Sequence, residues 1–243
     1  MMDVRGQSRV AHPGIFISFE GGEGAGKSTH IRFLAESLEQ EGYEVLSLRE
    51  PGGTFIGERL RDLVLDPSND EMTDEAELLI YEAARAQIVA ELIRPALERS
   101  CVVLCDRFFD STLAYQVYGR GLSADFVEHA NSFASQGLVP DRTILLSCGD
   151  LAHVGLGRAT HHGSADRLEL AGEDFHTKVN EGFQRIAKQN PQRIVAITSS
   201  QEKSQTARMI FEALSDIFPW MADKNRVDTS YFSRLDTRSL QKS

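Results

Sequence analysis

One stretch near the start of the chain restricts the fold more than any other part of it. An apolar run, residues 15–19, leads into glycine-rich residues 21–26, which are followed directly by Lys27, Ser28 and Thr29. This spacing fits G-x-x-x-x-G-K-[ST], in which a buried strand delivers a loop whose backbone N–H groups curl around phosphate oxygens. The helix that follows points its positive N-terminal end at the same anion. The stretch therefore predicts a strand, a phosphate-binding loop and a helix.

Two side chains of this motif have distinct expected tasks. Lys27 would neutralise the β- and γ-phosphates of a nucleoside triphosphate, and the Ser28 hydroxyl would bind Mg²⁺. The order of strand, loop and helix argues against the alternative, a glycine-rich turn with an incidental lysine. The residues predicted to bind ATP are Gly21, Gly22, Glu23, Gly24, Ala25, Gly26, Lys27, Ser28 and Thr29.

The overall charge narrows the classes of partner. The chain has 243 residues and a formal net charge of −10, which argues against a general nucleic-acid surface or an anionic-membrane surface. No apolar run approaches the length of a membrane span.

Three cysteines, Cys101, Cys105 and Cys148, lie in apolar, strand-like runs. This placement favours reduced core thiols in a cytoplasmic protein over a metal site.

The alternation of apolar runs with helical patterns sets the expected architecture. We count five strands separated by helices and no internal repeat, which predicts a parallel, doubly wound sheet with right-handed crossovers. The sequence divides into a loose extension at residues 1–13, a single domain at residues 14–221 and a polar tail at residues 222–243. The tail has no core-forming pattern, and we therefore predict that it is disordered.

Two arginines lie where a ligand site is expected. Arg49 ends the second strand and is followed by a Pro-Gly-Gly loop, and ligands bind at the carboxyl ends of strands in α/β sheets. Arg85 lies on an otherwise apolar face of a long helix that begins at Thr73, one turn after Tyr81. A lone buried charge is costly, so Arg85 either forms a structural salt bridge or faces a polar ligand beside the Tyr81 ring. In the same helix, Glu77 is placed near the N-terminus, where negative charge is favourable.

A second motif lies in the third strand. Residues 101–105 are apolar and run into Asp106, a pattern in which a strand-end carboxylate supports Mg²⁺. The next segment carries a dense set of hydrogen-bonding side chains, namely Ser111, Thr112, Tyr115 and Gln116.

These motifs together resemble those of bacterial thymidylate kinases over residues 14–218. The segments that carry the resemblance are the phosphate-binding loop, Arg49-Glu50-Pro51-Gly52-Gly53-Thr54, Ala83-Ala84-Arg85, Asp106-Arg107-Phe108, Ser111-Thr112-Leu113-Ala114-Tyr115-Gln116 and Asp166-Arg167-Leu168-Glu169. The resemblance implies a three-layer P-loop NTPase-type α/β fold, with a five-stranded parallel sheet flanked by helices and a mobile lid at about residues 158–168. It also implies ATP-dependent phosphorylation of dTMP to dTDP with Mg²⁺, by a protein that is usually a homodimer.

The resemblance further implies roles for the matching residues. Tyr81 would stack on thymine, Arg85 would donate to a thymine carbonyl, and Tyr115 would crowd the 2′ position. Arg49 and Arg107 would hold the dTMP phosphate. The residues implied to bind dTMP are Glu23, Arg49, Tyr81, Arg85, Arg107, Ser111, Thr112, Tyr115 and Gln116. Those implied to hold the metal are Ser28, Asp106 and Glu23, and those implied to act in catalysis are Lys27, Arg107 and Arg158.

The lid departs from the family pattern. Some members carry an arginine inside the phosphate loop, where this chain has Gly24, so the cation is expected to come from the lid. Arg167 has acidic neighbours that would take up part of its charge, and His161 and His162 are loop residues that are largely neutral at pH 7. Arg158 has no acidic neighbour and is therefore the predicted cation.

Two alternative functions are also compatible with a phosphate-binding loop. One is a P-loop kinase of another nucleoside monophosphate or of a deoxynucleoside. The other is a nucleotide-binding switch protein that transfers no phosphate. Two arginines for a second phosphate, Arg49 and Arg107, favour a monophosphate kinase over a nucleoside kinase. The arginine-poor lid is the one feature that favours the switch protein.

Overall fold

The computed structural model describes residues 12–147, 166–199 and 202–240. Within these ranges one sheet is formed by β1 (Ile15–Glu20), β2 (Val45–Arg49), β3 (Val102–Asp106), β4 (Arg142–Ser147) and β5 (Ile194–Thr198). All neighbouring pairs are parallel, and the order is β2-β3-β1-β4-β5. The predicted five-stranded parallel sheet is confirmed.

The central strand is β1, which has no polar face to offer to solvent. All of its residues are buried, and it pairs with β3 on one side and β4 on the other. A strand of this kind is stable only where helices cover both faces of the sheet. Because Phe19 is in register with Asp106, the loops that follow β1 and β3 leave the sheet side by side. The phosphate-binding loop therefore lies next to residues 107–112.

Helices pack on both faces of the sheet. They are α1 (Lys27–Gln40), α2 (Phe55–Leu65), α3 (Asp74–Ile88), α4 (Arg94–Glu98), α5 (Phe109–Thr112), α6 (Ala124–Ala134), α7 (Glu173–Gln189), α8 (Lys203–Leu214) and α9 (Thr229–Leu240). Side-chain oxygens of Thr54, Thr73 and Ser123 cap α2, α3 and α6 by accepting the backbone N–H three residues further on. These caps fix where each of the three helices begins.

The long helix predicted to begin at Thr73 is interrupted. It passes from α3 through a five-residue π-helical turn, Val89–Ile93, into α4. Pro95 in the first turn of α4 has no backbone N–H and cannot form the α-helical hydrogen bond four residues back. The wider turn accommodates that break. A second π-helical segment, Leu113–Gly119, carries Tyr115 and Gln116.

The C-terminal segment corrects one prediction from the sequence. Residues 222–243 are predicted to be disordered, but within them α9 packs into the core formed by α1 and α8. Phe232 and Leu235 are buried there, and the guanidinium of Arg234 lies 4.6 Å from the centre of the Phe33 ring. The prediction was wrong because two apolar side chains at helical spacing suffice to dock a short helix, although the segment is polar overall.

Several predicted features lie outside the described residues. These are most of the lid, with Arg158, His161 and His162, and the third cysteine, Cys148. Cys101 and Cys105 are described, both are buried, and neither forms a disulfide within the described ranges. Within the described ranges, no helix is both long enough and apolar enough to cross a membrane.

Candidate active site

The loop between β1 and α1 needs glycine at its first position. Gly21 has a φ of 126°, and a side-chain Cβ there would lie 1.9 Å from the backbone carbonyl oxygen of Leu146 in β4. No other residue type could pass so close to the neighbouring strand. Gly26, which precedes α1, also has a left-handed backbone, with a φ of 90°. The glycine pattern of the motif is therefore a requirement of this turn.

Lys27 curls back across the loop. Its Nζ donates to the carbonyl oxygens of Gly21 and Gly22, each at 3.0 Å. Burial lowers the pKa of Lys27, and the nearby charge of Arg107 lowers it further. Both acceptors are neutral, so an anionic phosphate oxygen would form a stronger, charge-assisted hydrogen bond than either of them.

Two of the predicted metal ligands meet at the ends of α1 and β3. The Ser28 hydroxyl donates to Oδ2 of Asp106 at 2.8 Å. A hydroxyl beside a carboxylate is a pair of hard oxygen donors, which suits Mg²⁺. No cluster of three or more His, Cys, Asp or Glu side chains that could hold a metal occurs in the described ranges. Mg²⁺ characteristically binds through few protein ligands together with water and phosphate oxygens, so this pair fits that ion.

The third predicted metal ligand, Glu23, instead forms an ion pair with Arg107. That pairing, more than any other interaction, lowers the pKa of Glu23 to about 2. Nη1 of Arg107 also donates to the carbonyl oxygen of Gly21 at 3.1 Å and to Ser111 Oγ at 3.2 Å. Arg107 has a φ of 73°, so a strained backbone turns this side chain back toward the loop after β1.

A buried acidic pair that the sequence did not predict lies beneath Arg107. Glu20, the last residue of β1, accepts the backbone N–H of Phe108 at 2.8 Å and the Ser111 hydroxyl at 2.5 Å. Burial and the charge of Asp110 raise the pKa of Glu20 to about 8. Asp110 itself accepts two hydrogen bonds from Arg193, at 2.6 and 2.8 Å. The feature of the sequence that could have revealed this pair is Glu20, a charged residue at the C-terminal end of the mostly apolar strand β1.

A cavity opens beside the phosphate-binding loop. It brings together eight of the nine residues predicted to bind dTMP, namely Glu23, Tyr81, Arg85, Arg107, Ser111, Thr112, Tyr115 and Gln116. They come from the loop after β1, from α3 and from the segment after β3. Sequence positions more than ninety residues apart are therefore joined in one concave surface, as a ligand site requires.

Arg49 is the predicted residue that does not line this cavity. Its Nη2 pairs with Glu58 Oε2 at 2.8 Å, and its side chain is 48% exposed. Arg61 of α2 lines the cavity instead, and it shares the backbone carbonyl of Pro51 with Arg49, at 2.9 and 3.3 Å. Sequence reasoning missed Arg61 because it lies on an amphipathic helix where surface arginines are common. The two guanidinium groups therefore lie close together, with Arg61 in the cavity wall and Arg49 just outside it.

Arg85 combines the two roles that the sequence left open. It is almost fully buried, with Nε 2.9 Å from Glu50 and Nη1 2.8 Å from both Glu82 and Asn131. It also lines the cavity. Burial raises the pKa of Glu50 to about 7, although the charge of Arg85 opposes the shift. One guanidinium therefore lies between two buried carboxyl groups and is held firmly in one orientation.

Glu77 organises a further cluster on α3. Its carboxylate is buried and accepts hydrogen bonds from Gln116, Arg120 and Arg167. Arg167 was expected to be committed to its acidic neighbours. It pairs with Glu77 instead, and the Asp166 carboxylate accepts two backbone N–H groups at 2.9 Å each. The end of the predicted lid is therefore attached to α3.

Comparison with known proteins places these features in a family. The model of the thymidylate kinase family matches residues 19–210. The chain belongs to the thymidylate kinase family. The thymidylate kinase of Pseudomonas fluorescens is 46% identical over 213 residues, which cover 88% of this chain and 99% of that protein. The corresponding enzyme of Geotalea uraniireducens is 45% identical over 207 residues, covering 83% and 96%.

A solved structure agrees with this assignment. The crystal structure of thymidylate kinase from Ehrlichia chaffeensis resembles the present fold with a TM-score of 0.69 and 31% identity. The match covers 83% of this chain and 100% of that chain. Both the sheet and the flanking helices that position the cavity are therefore those of the family.

Proposed function

We propose that this protein transfers the γ-phosphoryl group of ATP to dTMP and so forms dTDP. The observation that carries the proposal is the direct junction between the phosphate-binding loop and the cavity through Arg107, which contacts Gly21 and Ser111 at once. Two nucleotides bound on the two sides of this arginine would present their phosphates to each other. Membership of the thymidylate kinase family supports dTMP as the acceptor.

At the phosphate end, the protein's task is to hold and neutralise charge. The loop N–H groups and Lys27 would bind the β- and γ-phosphates, and Arg107 would hold the acceptor phosphate in line with them. Bound Mg²⁺, with Ser28 and Asp106 as protein ligands, would offset the charge of the transferring group. Arg61 lines the cavity and Arg49 shares its Pro51 carbonyl, so both would bind the remaining acceptor oxygens once Arg49 turns toward the ligand.

At the base end, the protein's task is recognition. Tyr81 is placed in the cavity wall one helical turn from Arg85, so an aromatic ring and a guanidinium can meet the same base. The Tyr115 ring packs edge-to-face against Phe175 and Phe183, and the Arg107 guanidinium lies over its face. From that position it would crowd a 2′-hydroxyl and favour deoxyribose. Arg158 remains our proposed lid cation.

A coupled assay of ADP release tests the proposal directly. ATP with dTMP should give rapid ADP release, while dCMP, dGMP and UMP should give much less, and ATP alone should give almost none. ADP release that did not depend on a nucleoside monophosphate would point to a switch protein. Faster release with a free deoxynucleoside would point to a nucleoside kinase.

We also propose that the protein acts as a homodimer in the cytoplasm. Large apolar side chains are exposed on three helices that pack side by side, at Phe55 on α2, Leu79 on α3, and Phe126 and Phe133 on α6. Such a surface is typical of an interface. Leu79→Glu should convert a dimer to a monomer in light scattering, whereas Leu170→Glu, a change at an exposed leucine outside these helices, should not. A wild-type monomer would refute the dimer.

A further inference from the structure

One buried carboxylate controls a side chain that faces the cavity. Glu77 has no exposed side-chain surface, and both of its oxygens accept hydrogen bonds. Oε1 accepts from Gln116 Nε2 at 2.8 Å and from Arg120 Nε at 3.2 Å. Oε2 accepts from Arg120 Nη2 at 2.9 Å and from Arg167. Glu77 is therefore the common acceptor of one amide and two guanidinium groups.

The charge state of this carboxylate follows from its partners. Burial alone would raise the pKa of Glu77, but the hydrogen bonds from Arg120 and Gln116 and the two arginine charges outweigh it, so the pKa is lowered. Glu77 is thus ionised at neutral pH. An ionised carboxylate can only accept hydrogen bonds.

This restriction fixes the orientation of the Gln116 amide. A glutamine side chain has one donor end and one acceptor end, and the two have nearly the same shape. The donor end of Gln116 must face Glu77, because a carbonyl oxygen there would meet a carboxylate oxygen. The other end, Oε1, accepts no hydrogen bond in the described parts of the chain, and Gln116 lines the cavity. Gln116 Oε1 is therefore a hydrogen-bond acceptor that faces the cavity in a fixed orientation.

We propose that Glu77 is a specificity-determining positioning residue, which locks the Gln116 amide so that its carbonyl oxygen faces the base. The inference rests on the proposed function and deepens it. Thymine carries one ring donor, N3–H, beside the carbonyl O4. A fixed acceptor at Gln116 pairs with N3–H, while Arg85 supplies a donor for O4. Cytosine has an acceptor at N3 and a donor at N4, so both contacts would be mismatched.

The test compares two substrates that differ only in this hydrogen-bonding edge. dTMP and 5-methyl-dCMP share the methyl group, the sugar and the phosphate. In Glu77→Gln the neighbour of Gln116 can donate as well as accept, so the Gln116 amide is free to turn. We expect the ratio of kcat/KM for dTMP to that for 5-methyl-dCMP to fall about tenfold, as one misdirected hydrogen bond would cause. The KM for ATP should change little.

Arg120→Gln is the matched control. It disturbs the same cluster but leaves Glu77 as an acceptor-only carboxylate, so the substrate ratio should stay near the wild-type value. A change in the ratio that is equally large in Arg120→Gln would mean that Glu77 acts only through general packing, and would overturn the proposal. So would a folded Glu77→Gln enzyme with an unchanged ratio.

Two further measurements keep the test decisive. If Glu77→Gln leaves too much uncompensated buried positive charge to fold, the double variant Glu77→Gln/Arg120→Gln is compared with Arg120→Gln alone. In a Gln116→Leu background, Glu77→Gln should have no additional effect on the ratio, and an additional effect would contradict the mechanism. A wild-type enzyme with no activity on dTMP would overturn the proposed function itself, and is distinguished by the wild-type measurement.

Discussion

The two ends of the cavity hold their polar groups in different ways. At the phosphate end, Lys27 donates to two neutral carbonyl oxygens, and Arg107 pairs with Glu23, whose side chain is 35% exposed. At the base end, Arg85 is enclosed by Glu50 and Glu82, with side-chain exposures of 2%, 4% and 7%. The cations at the phosphate end therefore have partners that a ligand can replace, whereas the cation at the base end is held by buried ion pairs.

This difference follows from what each end must do. A phosphate brings its own strong negative charge, so a cation there gains by leaving a carbonyl for the ligand. A neutral base brings only weak donors and acceptors, and it can be distinguished only by groups that do not turn to suit it. The ion pairs around Arg85 and Gln116 supply that rigidity before the ligand arrives.

The largest effect should come from removing the lysine at the phosphate end. Lys27→Ala should abolish measurable phosphoryl transfer, because charge that develops during the reaction loses its partner. The melting temperature should change little, since the lost bonds are to loop carbonyls. Steady-state kinetics and thermal melting check both points. A folded Lys27→Ala protein with near-normal turnover would exclude the P-loop mechanism.

The two lid arginines, Arg158 and Arg167, should differ in the same way, since one is expected to affect catalysis and the other stability. Arg158→Met should lower kcat on the order of 10³-fold, as expected for a cation aimed at the transferring group, with little change in dTMP affinity. Arg167→Met should chiefly lower the melting temperature, because Arg167 pairs with the buried Glu77. The reverse pattern would move the catalytic role to Arg167. Mild effects in both, with kcat rising as pH falls below 7, would assign it to a lid histidine.

Arg85 and Arg49 differ in the burial of their carboxylate partners, so their removal should change stability by different amounts. Arg85→Met should lower the free energy of unfolding by about 3–5 kcal/mol, because it leaves Glu50 and Glu82 buried without their partner. Arg49→Met should cost about 0–1 kcal/mol, since Arg49 and Glu58 are both more than 40% exposed. Chemical denaturation measures both values. Equal losses in the two variants would show that the base end is no more rigid than the edge of the cavity.

The smallest expected effect is a pH dependence of stability. The pKa of Glu20 is raised from 4.5 to about 8, so between these values the folded state binds more protons than the unfolded chain. Stability is therefore greatest below about pH 4.5 as far as this group is concerned, and falls as pH rises toward 8. Glu20→Gln should reduce the fall in melting temperature between pH 6 and pH 8.

The fall should be reduced and not abolished, because Glu50, with a pKa of about 7, contributes in the same direction. The exposed carboxylate variant Glu98→Gln is a suitable control and should follow the wild-type curve. A Glu20→Gln protein whose stability falls as steeply as the wild type would rule out a neutral Glu20 in the folded state.

The sequence predicted the regular elements well, because hydrophobic periodicity is a local signal. Arg49 ends β2 as predicted, and Thr73 caps the helix that was predicted to begin there. The π-helical turns were not predictable from periodicity. The docking of α9 was missed because it depends on Phe232 finding a specific site on α1, which composition does not reveal.

The site shows the same limit. Motifs identified the residues that line the cavity, but they could not identify what holds those residues. Glu77 seemed favourable only for its position near a helix N-terminus, yet its partners are 39, 43 and 90 residues away. Asp110 and Arg193 are likewise 83 residues apart. Such pairs are set by the topology of the sheet and not by any local pattern.

The packing of α9 on α1 has a consequence for how the protein is made. Arg234 donates to Ser37 across 197 residues of chain. The helix that carries Lys27 and Ser28 is therefore synthesised early, but part of its apolar face stays uncovered until Phe232 and Leu235 leave the ribosome. The Phe33 ring is part of that face, so nucleotide-binding competence should appear late in synthesis, although the motif that confers it is translated first.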